Sequence, residues 1–488
     1  MGSLLKALEA LIDLEKLKYC FECGICTASC PIAEMLPTHY NPRILLHSIH
    51  LDEERLLTSA EPWLCAWCYK CNQRCPQGLN LPEIFRAIRK YAVEHGSLEG
   101  FTSALKIIRE TIPLPASCCY ICFHPERTID DSKLIEDSIQ KLIIDYIITT
   151  GKTTKAVSSP TLHKERIAIV GSGPSGLTTA CELAMKGYPV TVFESLPKAG
   201  GMLRVGIPEF RLPKEVLDAD IGYIKDLGVE IKTNVAIGND LMLDDLRKEY
   251  NAVLIATGMQ KDKEFNIEGN DLNGVVNALD FLRQVNLGKI VELKPKVAVV
   301  CVHRLLGIDV ARVALQLEPE EVRLIYRRSK KRMLFHGRIG EQMQKEFKEA
   351  EREGMKTHFM TWPTRILGKD GQVVGLECAR MGLGKPNEKG LRKLIPIEGS
   401  NFVIDLDSVI LAVGQAPSIS PSEEIELGEE NSVIVNPVTL ETNLPGVYAC
   451  GEIAWGPSTA IVSIASGKQA ADSIDEFLRT KQVGTIKI

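Results

Sequence analysis

The sequence predicts an α/β chain carrying a separate all-helical N-terminal domain, and three observations support this. Cysteine is crowded: 11 of the 15 lie within the first 122 residues. The stretch "RIAIVGSGPSGLTTACELAMKGYPVTVFES" (166–195) reads as strand, glycine turn, helix and strand. A second stretch, "KVAVVCVHRLLGIDVARVALQ" (296–316), reads as a buried strand, a turn and an amphipathic helix, with Val302, His303 and Arg304 where glycines would stand in a nucleotide-binding turn.

The bulk properties set limits. A chain of 488 residues is too long for one hydrophobic core and suggests about three domains. Its 25% charged and 45% apolar residues are ordinary for a soluble globular protein. A net charge of −5 gives no footprint for nucleic acid or an anionic membrane. No apolar run reaches the roughly 18 residues that a membrane span needs. The opening "MGSLLKALEALIDLEKLKYC" mixes Leu and Ala with Lys, Glu and Asp at helical spacing. It therefore reads as an amphipathic helix of a cytoplasmic protein, not as a signal peptide.

Spacing decides what the cysteines do. Cys20, Cys23, Cys26 and Cys30 form C-x2-C-x2-C-x3-C-P, and Cys65, Cys68, Cys71 and Cys75 repeat it. This is the bacterial [4Fe–4S] signature, occurring twice. Three close thiolates wrap three corners of a cubane, and the fourth often serves the other cluster. Cysteines two residues apart bridge poorly as disulfides, and a zinc site would need only four ligands without the C-P tail. Cys118, Cys119 and Cys122 are one ligand short of a cubane, with Glu126 where a further cysteine would help. They read as buried, unused thiols, with a third cluster as the alternative. Helices are expected in "LPEIFRAIRKYAVEHG", "GFTSALKIIRETIPLP" and "DDSKLIEDSIQKLIIDYIITTG". Such a small domain depends on its metal clusters to fold. The polar "KTTKAVSSPTLHKE" after it is a linker.

In the next unit Gly171, Gly173 and Gly176 fit G-x-G-x-x-G, and Glu194 ends the second strand. The glycines serve a tight turn, approach of a pyrophosphate and close helix packing, with Pro174 and Ser175 at the helix start. Glu194 is placed to accept hydrogen bonds from the adenosine ribose. Four fragments in order point to FAD: this turn; "AGGMLRVG", with Gly200, Gly201, Met202 and Arg204; "AVLIATGM", with Ala256, Thr257 and Gly258; and "YACGEIAWGPSTA", with Gly451, Glu452, Thr459 and Ala460. In flavoproteins that the last fragment resembles, the acidic side chain binds the ribitol and the helix N-terminus faces the flavin ring. Cys181, Cys301, Cys378 and Cys450 form no C-x-x-C or C-x4-C pair, so flavin–disulfide exchange is not expected. No Ser–His–Asp set or H-E-x-x-H supports hydrolysis.

On these motifs, residues 165–488 resemble the flavin and nicotinamide half of the small subunit of NADPH-dependent glutamate synthase, also found in dihydropyrimidine dehydrogenase. Residues 76–150 are similar to that family's helical iron–sulfur domain, through "PQGLNLPEIFRAI", "ALKIIRETIPLPASC" and "SIQKLIIDY". The doubled cysteine run at 20–75 resembles the dicluster iron–sulfur subunit of heterodisulfide reductase instead. The resemblance implies an N-terminal helical domain binding two [4Fe–4S] clusters (1–150), a linker (151–164) and a split Rossmann-type FAD domain (165–288 and 402–488). Inserted in the last is a degenerate nicotinamide-type Rossmann domain (289–401). The family's inserted domain carries G-G-G-N-T-A-x-D, and setting Asp309 on its Asp places Val302, His303 and Arg304 on the glycines and Gly307 on the alanine.

Three side chains would then fill the pyrophosphate's space, and β-branched Val302 is ill suited to positive φ. Arg304 could bind phosphate through its guanidinium. Arg327 and Arg328, in "LIYRRSKKRM", argue the other way, since in the family such arginines hold the 2′-phosphate of NADPH. The plainer reading is a solvated basic turn, or a patch reused for a partner. On balance the sequence reads against productive NAD(P)H binding, with the domain kept as scaffold. The expected protein is thus an electron-transfer subunit of a larger redox complex, passing electrons between FAD and two clusters and on to another redox subunit or ferredoxin. The alternative is an NAD(P)H:acceptor oxidoreductase passing hydride from nicotinamide to FAD. A structural adaptor with inert cofactors is the third reading, and eight ordered ligands argue against it.

Overall fold

A computed structural model describes residues 20–51, 53–114, 117, 163–302, 304–335, 340–386, 392–417 and 424–485. The expected N-terminal helix, Cys118, Cys119, Cys122, the third expected helix, most of the linker and His303 lie outside the described residues.

The described N-terminal part is helical. Helix α1 (Pro31–Met35) begins at Cys30, with proline in its first turn where the missing N–H costs nothing. Helix α2 (Leu81–Glu94) buries Leu81, Ile84, Phe85, Ile88 and Ala92 at helical spacing. Gly96, at φ +74°, lets the chain turn away after it. In helix α3 (Glu99–Thr111) a methyl on Gly100 would sit 2.2 Å from the Ser59 carbonyl oxygen. The lack of a side chain there is what permits the close approach.

The following strands and helices are β1 (Ile167–Val170), α4 (Pro174–Met185), β2 (Val190–Glu194), α5 (Lys214–Asp226), β3 (Glu230–Thr233) and β4 (Ala252–Ile255). Then come β5 (Val275–Asn277), β6 (Lys296–Cys301), α6 (Arg304–Leu315), β7 (Glu321–Tyr326), α7 (Gly340–Arg352), β8 (Lys356–Phe359) and β9 (Ser408–Ala412). Last are β10 (Val447–Ala449) and α8 (Ala460–Thr485).

Two compact units result. The first comprises residues 1–204, 210–259 and 417–488. Its parallel sheet has the order β10-β4-β1-β2-β3. Strands β1, β2, β4 and β10 are buried at every position, as a sheet covered on both faces requires. Phe193, Val253, Ile255 and Val447 share its core with Leu243 and Leu246.

The second unit comprises residues 205–209 and 260–416, with the parallel order β5-β9-β6-β7-β8. It is wider than the expected 289–401. Strand β9 pairs with β6 along its length, and β5 pairs with β9, so both outlying segments belong to this sheet. An antiparallel layer of Thr361–Lys369, Gln372–Pro386, Arg392–Pro396 and Phe402–Asp405 supplies Ile366, Leu376 and Ile404 to its core.

Candidate functional site

The glycine turn after β1 is shaped by three different needs. Gly171 has φ +105°, and a methyl on it would lie 2.5 Å from the Ala256 carbonyl oxygen. A methyl on Gly176 would lie 2.1 Å from the Gly171 oxygen, so α4 packs hard against the turn. Gly173 is the opposite case: nothing lies within 4 Å of the methyl position. That open side is at the N-terminus of α4, where the helix dipole and free N–H groups favour a pyrophosphate.

The separate sequence fragments converge here. A methyl on Gly201 would meet Gly173 Cα at 2.6 Å, and one on Gly451 would meet Ser175 Oγ at 2.5 Å. Gly258, at φ +64°, opens onto empty space like Gly173. Thr257 Oγ1 is buried and has no hydrogen-bond partner. Buried hydroxyls are normally satisfied, so this orphan and the two open glycines fit a dinucleotide lying along the turn.

Glu194 is buried, and its oxygens already hold the loop. Oε2 accepts from Ser172 N–H at 3.0 Å and from the Ser172 hydroxyl, while Oε1 accepts from Leu196 N–H at 2.9 Å. Ribose hydroxyls would use the remaining lone pairs. Arg204, expected to contact the cofactor, is committed within the protein: Nε donates to the Ala199 carbonyl at 2.9 Å, and the guanidinium pairs with Asp218. Met202 is the half-buried residue of the otherwise buried helical turn Gly201–Val205. Glu452 Oε1 accepts from Ser458 N–H at 2.8 Å, and burial pushes its carboxyl above the usual range. It thus fixes the turn through Thr459 into Ala460, the first residue of α8.

Three residues of this site were missed from sequence. Ser172 Oγ accepts from Gly200 N–H at 3.0 Å while donating to Glu194. Ser466 Oγ accepts from Gly451 N–H at 3.0 Å. Gly467 faces α4 so closely that a methyl would lie 2.4 Å from the Ser175 oxygen. A glycine inside the helical pattern "SIASGKQAA" was the available signal.

None of the twelve described cysteines is paired in a disulfide. Burial, then Cys75, Cys26 and Cys23, push the Cys20 thiol up to about 12. Burial pushes Cys30 up to about 12, with Cys65 and Cys68 beside it. Cys71 is raised by burial and by Cys65, Cys68, Cys30 and Cys26. Cys75 thus stands beside Cys20, and Cys30 beside Cys65, Cys68 and Cys71, with Cys26 also near Cys71. Each motif's fourth cysteine crosses to the other triplet.

Among the described residues, no three Cys, His, Asp or Glu side chains converge on a single-ion site. The two cysteine groups supply the ligand type and number that two cubanes need, and the iron would neutralise the crowded thiolates.

The two loops differ in their walls. Gly24 takes φ +63° in the first; Trp67 and Tyr69 take φ 54° and 57° in the second. Non-glycine residues hold such values only when the surroundings fix them. Here Trp67 Nε1 donates to the Pro82 carbonyl at 2.8 Å, and the Tyr69 hydroxyl donates to Glu83. The first loop exposes Cys23, and the second is deeply buried.

In the second unit the turn after β6 departs from expectation at Val302. Its φ is not positive, its N–H donates to the Ala412 carbonyl at 3.0 Å, and its side chain packs on the core with Val300 and Ala298. Val302 is therefore directed into the sheet's own core and not into the space of a pyrophosphate. Gly307 has the packing role of a fingerprint glycine, since a methyl there would lie 2.3 Å from Cys301 Sγ. Arg327 and Arg328 follow β7 directly, with the Arg327 guanidinium 5.6 Å from the Trp362 ring centre. Cys181, Cys378 and Cys450 are buried thiols raised by desolvation, the last two to about 12.

A family model for pyridine nucleotide-disulphide oxidoreductases matches residues 164–467. The chain belongs to that family. A 4Fe-4S dicluster domain model matches residues 16–79. The protein is an FAD-dependent iron–sulfur oxidoreductase that binds FAD and two [4Fe–4S] clusters.

Among curated relatives, the NADP(+)-dependent formate dehydrogenase subunit beta of Moorella thermoacetica is 36% identical, over 86% of this chain and 61% of its own length. The NADPH-Fe(3+) oxidoreductase subunit beta of Geobacter sulfurreducens is 32% identical, over 96% of this chain and 72% of its own. The glutamate synthase [NADPH] small chain of Azospirillum brasilense is 30% identical, over 86% and 88%. The oxidoreductase thus has the glutamate synthase small-chain relationship expected from its motifs, and spans about three fifths of the first relative. Mycobacterium tuberculosis FprA in complex with NADPH shares the fold, with a TM-score of 0.56 at 22% identity over 66% of this chain and 86% of that one. No described helix is long and apolar enough to cross a membrane.

Proposed function

We propose that this oxidoreductase is the flavin and iron–sulfur electron-transfer subunit of a larger redox complex. It passes electrons between FAD and two cubanes, and on to a redox centre of a partner protein or a ferredoxin. The observation that carries this reading is that α1, which begins at Cys30, packs on α8, the helix whose first residue Ala460 belongs to the flavin turn. Ser117 N–H also donates to Asp220 of α5 at 2.7 Å. Bound FAD supplies two-electron chemistry and each cubane a one-electron relay. The protein's own part is to hold the pyrophosphate at Gly173, fix the flavin turn through Glu452 and Ser466, and carry the two cysteine groups in the same packed unit. Relatives named as beta subunits of multisubunit enzymes support the assembly. A cytoplasmic location suits cysteines spent on cluster ligation and not on disulfides.

A second reading has specific support: electrons enter as hydride from NADPH bound to the second unit. Val302 is turned into the core, Gly307 retains its packing role, and Arg327 and Arg328 stand at the end of β7. The names of three relatives include NADP or NADPH. Anaerobic addition of NADPH and NADH to the isolated protein, followed at the flavin absorbance, separates the readings. A flavin that dithionite reduces and neither nucleotide bleaches supports entry through a partner. Rapid bleaching by NADPH establishes the second reading.

A further inference from the structure

Among the described residues of the iron–sulfur part, Arg89 is the fully buried charged side chain. Arg89, on α2, is 1% exposed. Its Nε donates to the Pro62 carbonyl at 2.7 Å and its NH2 donates to the carbonyl of the ligand Cys65 at 2.7 Å. The guanidinium carbon lies 5.7 Å from the Trp63 ring centre. Among the described residues no carboxylate pairs with it.

A buried cation bonded only to neutral carbonyls is costly unless an anion lies close by. The acidic groups facing it are the Cys65 thiol and the Tyr40 hydroxyl, both buried. Tyr40 in turn reaches the Cys65 sulfur as a hydrogen-bond donor. Beside the quartet of Cys20, Cys23, Cys26 and Cys75 the Arg43 guanidinium comes within 3.9 Å of the Gly24 methyl position, but Arg43 is only half-buried and Cys23 is exposed, so water screens that charge.

We propose that Arg89 is a positioning and potential-setting residue: it is the counter-charge of the cluster held by Cys30, Cys65, Cys68 and Cys71, and makes that cluster the higher-potential member of the pair. Reduction adds one electron to a group that four thiolates already make anionic. No bond is made or broken at Arg89, and no proton moves. The electron comes from the flavin and leaves through the other cluster or back, so Arg89 decides where it rests between transfers. A fixed positive charge and donors near the sulfurs favour the more negative, reduced form. Arginine suits the task because it stays charged when buried and its planar fork binds two carbonyls at once.

This inference rests on the electron-transfer reading only for its purpose, since potentials are measured without any partner. The test is a mediated redox titration of the whole protein followed by EPR, comparing wild type with Arg89→Met and Arg89→Lys. In Arg89→Met with full iron content, the higher midpoint potential falls by a factor of at least about ten in the one-electron equilibrium, about 59 mV, and the lower one stays. Arg89→Lys recovers most of the loss. Unchanged potentials, or equal shifts of both clusters, overturn the proposal. Should Arg89→Met lose iron, Tyr40→Phe decides: a fall confined to the higher-potential cluster supports the proposal, and no fall overturns it. A wild-type protein whose flavin cannot reduce its clusters would sink the electron-transfer reading and leave this one standing.

Discussion

Gly173 and Gly176 sit three residues apart in one turn, and the structure predicts opposite consequences for the same added methyl. On Gly176 the methyl would lie 2.1 Å from the Gly171 carbonyl oxygen, and real contacts stop at 3.0 Å, so α4 must retreat by nearly 1 Å from a fully packed sheet. Overpacking of this kind costs about 1–3 kcal/mol. On Gly173 the methyl has nothing within 4 Å, so the apoprotein loses nothing. The loss appears only when the pyrophosphate needs that space. The same 1–3 kcal/mol then falls on binding, weakening FAD roughly 5- to 150-fold. Thermal melts of FAD-stripped protein, paired with FAD titrations, read both effects. Gly173→Ala should melt with the stripped wild type and bind FAD weakly, whereas Gly176→Ala should melt several degrees lower even without FAD. Wild-type FAD affinity in Gly173→Ala would refute the placement of the dinucleotide along this turn.

Three further outcomes follow from the geometry. Gly307→Ala pushes α6 away from Cys301 and should destabilise the second unit by about 1–3 kcal/mol, read from urea midpoints. If ligation is crossed, Cys75→Ser should remove the same EPR signal as Cys23→Ser, and Cys30→Ser the same one as Cys68→Ser; a match of Cys75→Ser with Cys68→Ser would contradict the grouping. Burial raises the folded-state pKa of Glu452, so its contribution to stability is full below the unfolded value and is lost as pH rises through the folded one. Glu452→Gln keeps an oxygen acceptor for Ser458 N–H and should flatten that fall in urea midpoints measured upward from about pH 4.

What the sequence disclosed was local. Gly171, Gly173 and Gly176 lie within six residues, and the cysteine motifs within eleven each, so spacing alone exposes their geometry. The direction of Val302 was also present in the sequence, because Ala298, Val300 and Val302 alternate onto one face of β6 and its continuation. The glycine alignment drew attention from that parity. The domain limits were hidden for another reason: "SVILA" at 408–412 reads equally well in either sheet, and only its pairing with β6 assigns it. Arg89 and Arg204 were beyond reach, since their roles depend on carbonyls and a carboxylate brought in from elsewhere in the chain. An arginine in an amphipathic helix reads as solvated until its partners are placed.

The central claim is that one packed unit carries electrons from FAD to the paired cubanes. Photoreduction of the flavin in the anaerobic, isolated protein, with samples frozen at intervals for EPR, tests it most directly. The account predicts cluster signals growing as flavin absorbance recovers. A flavin that stays reduced beside EPR-silent, dithionite-reducible clusters would contradict it.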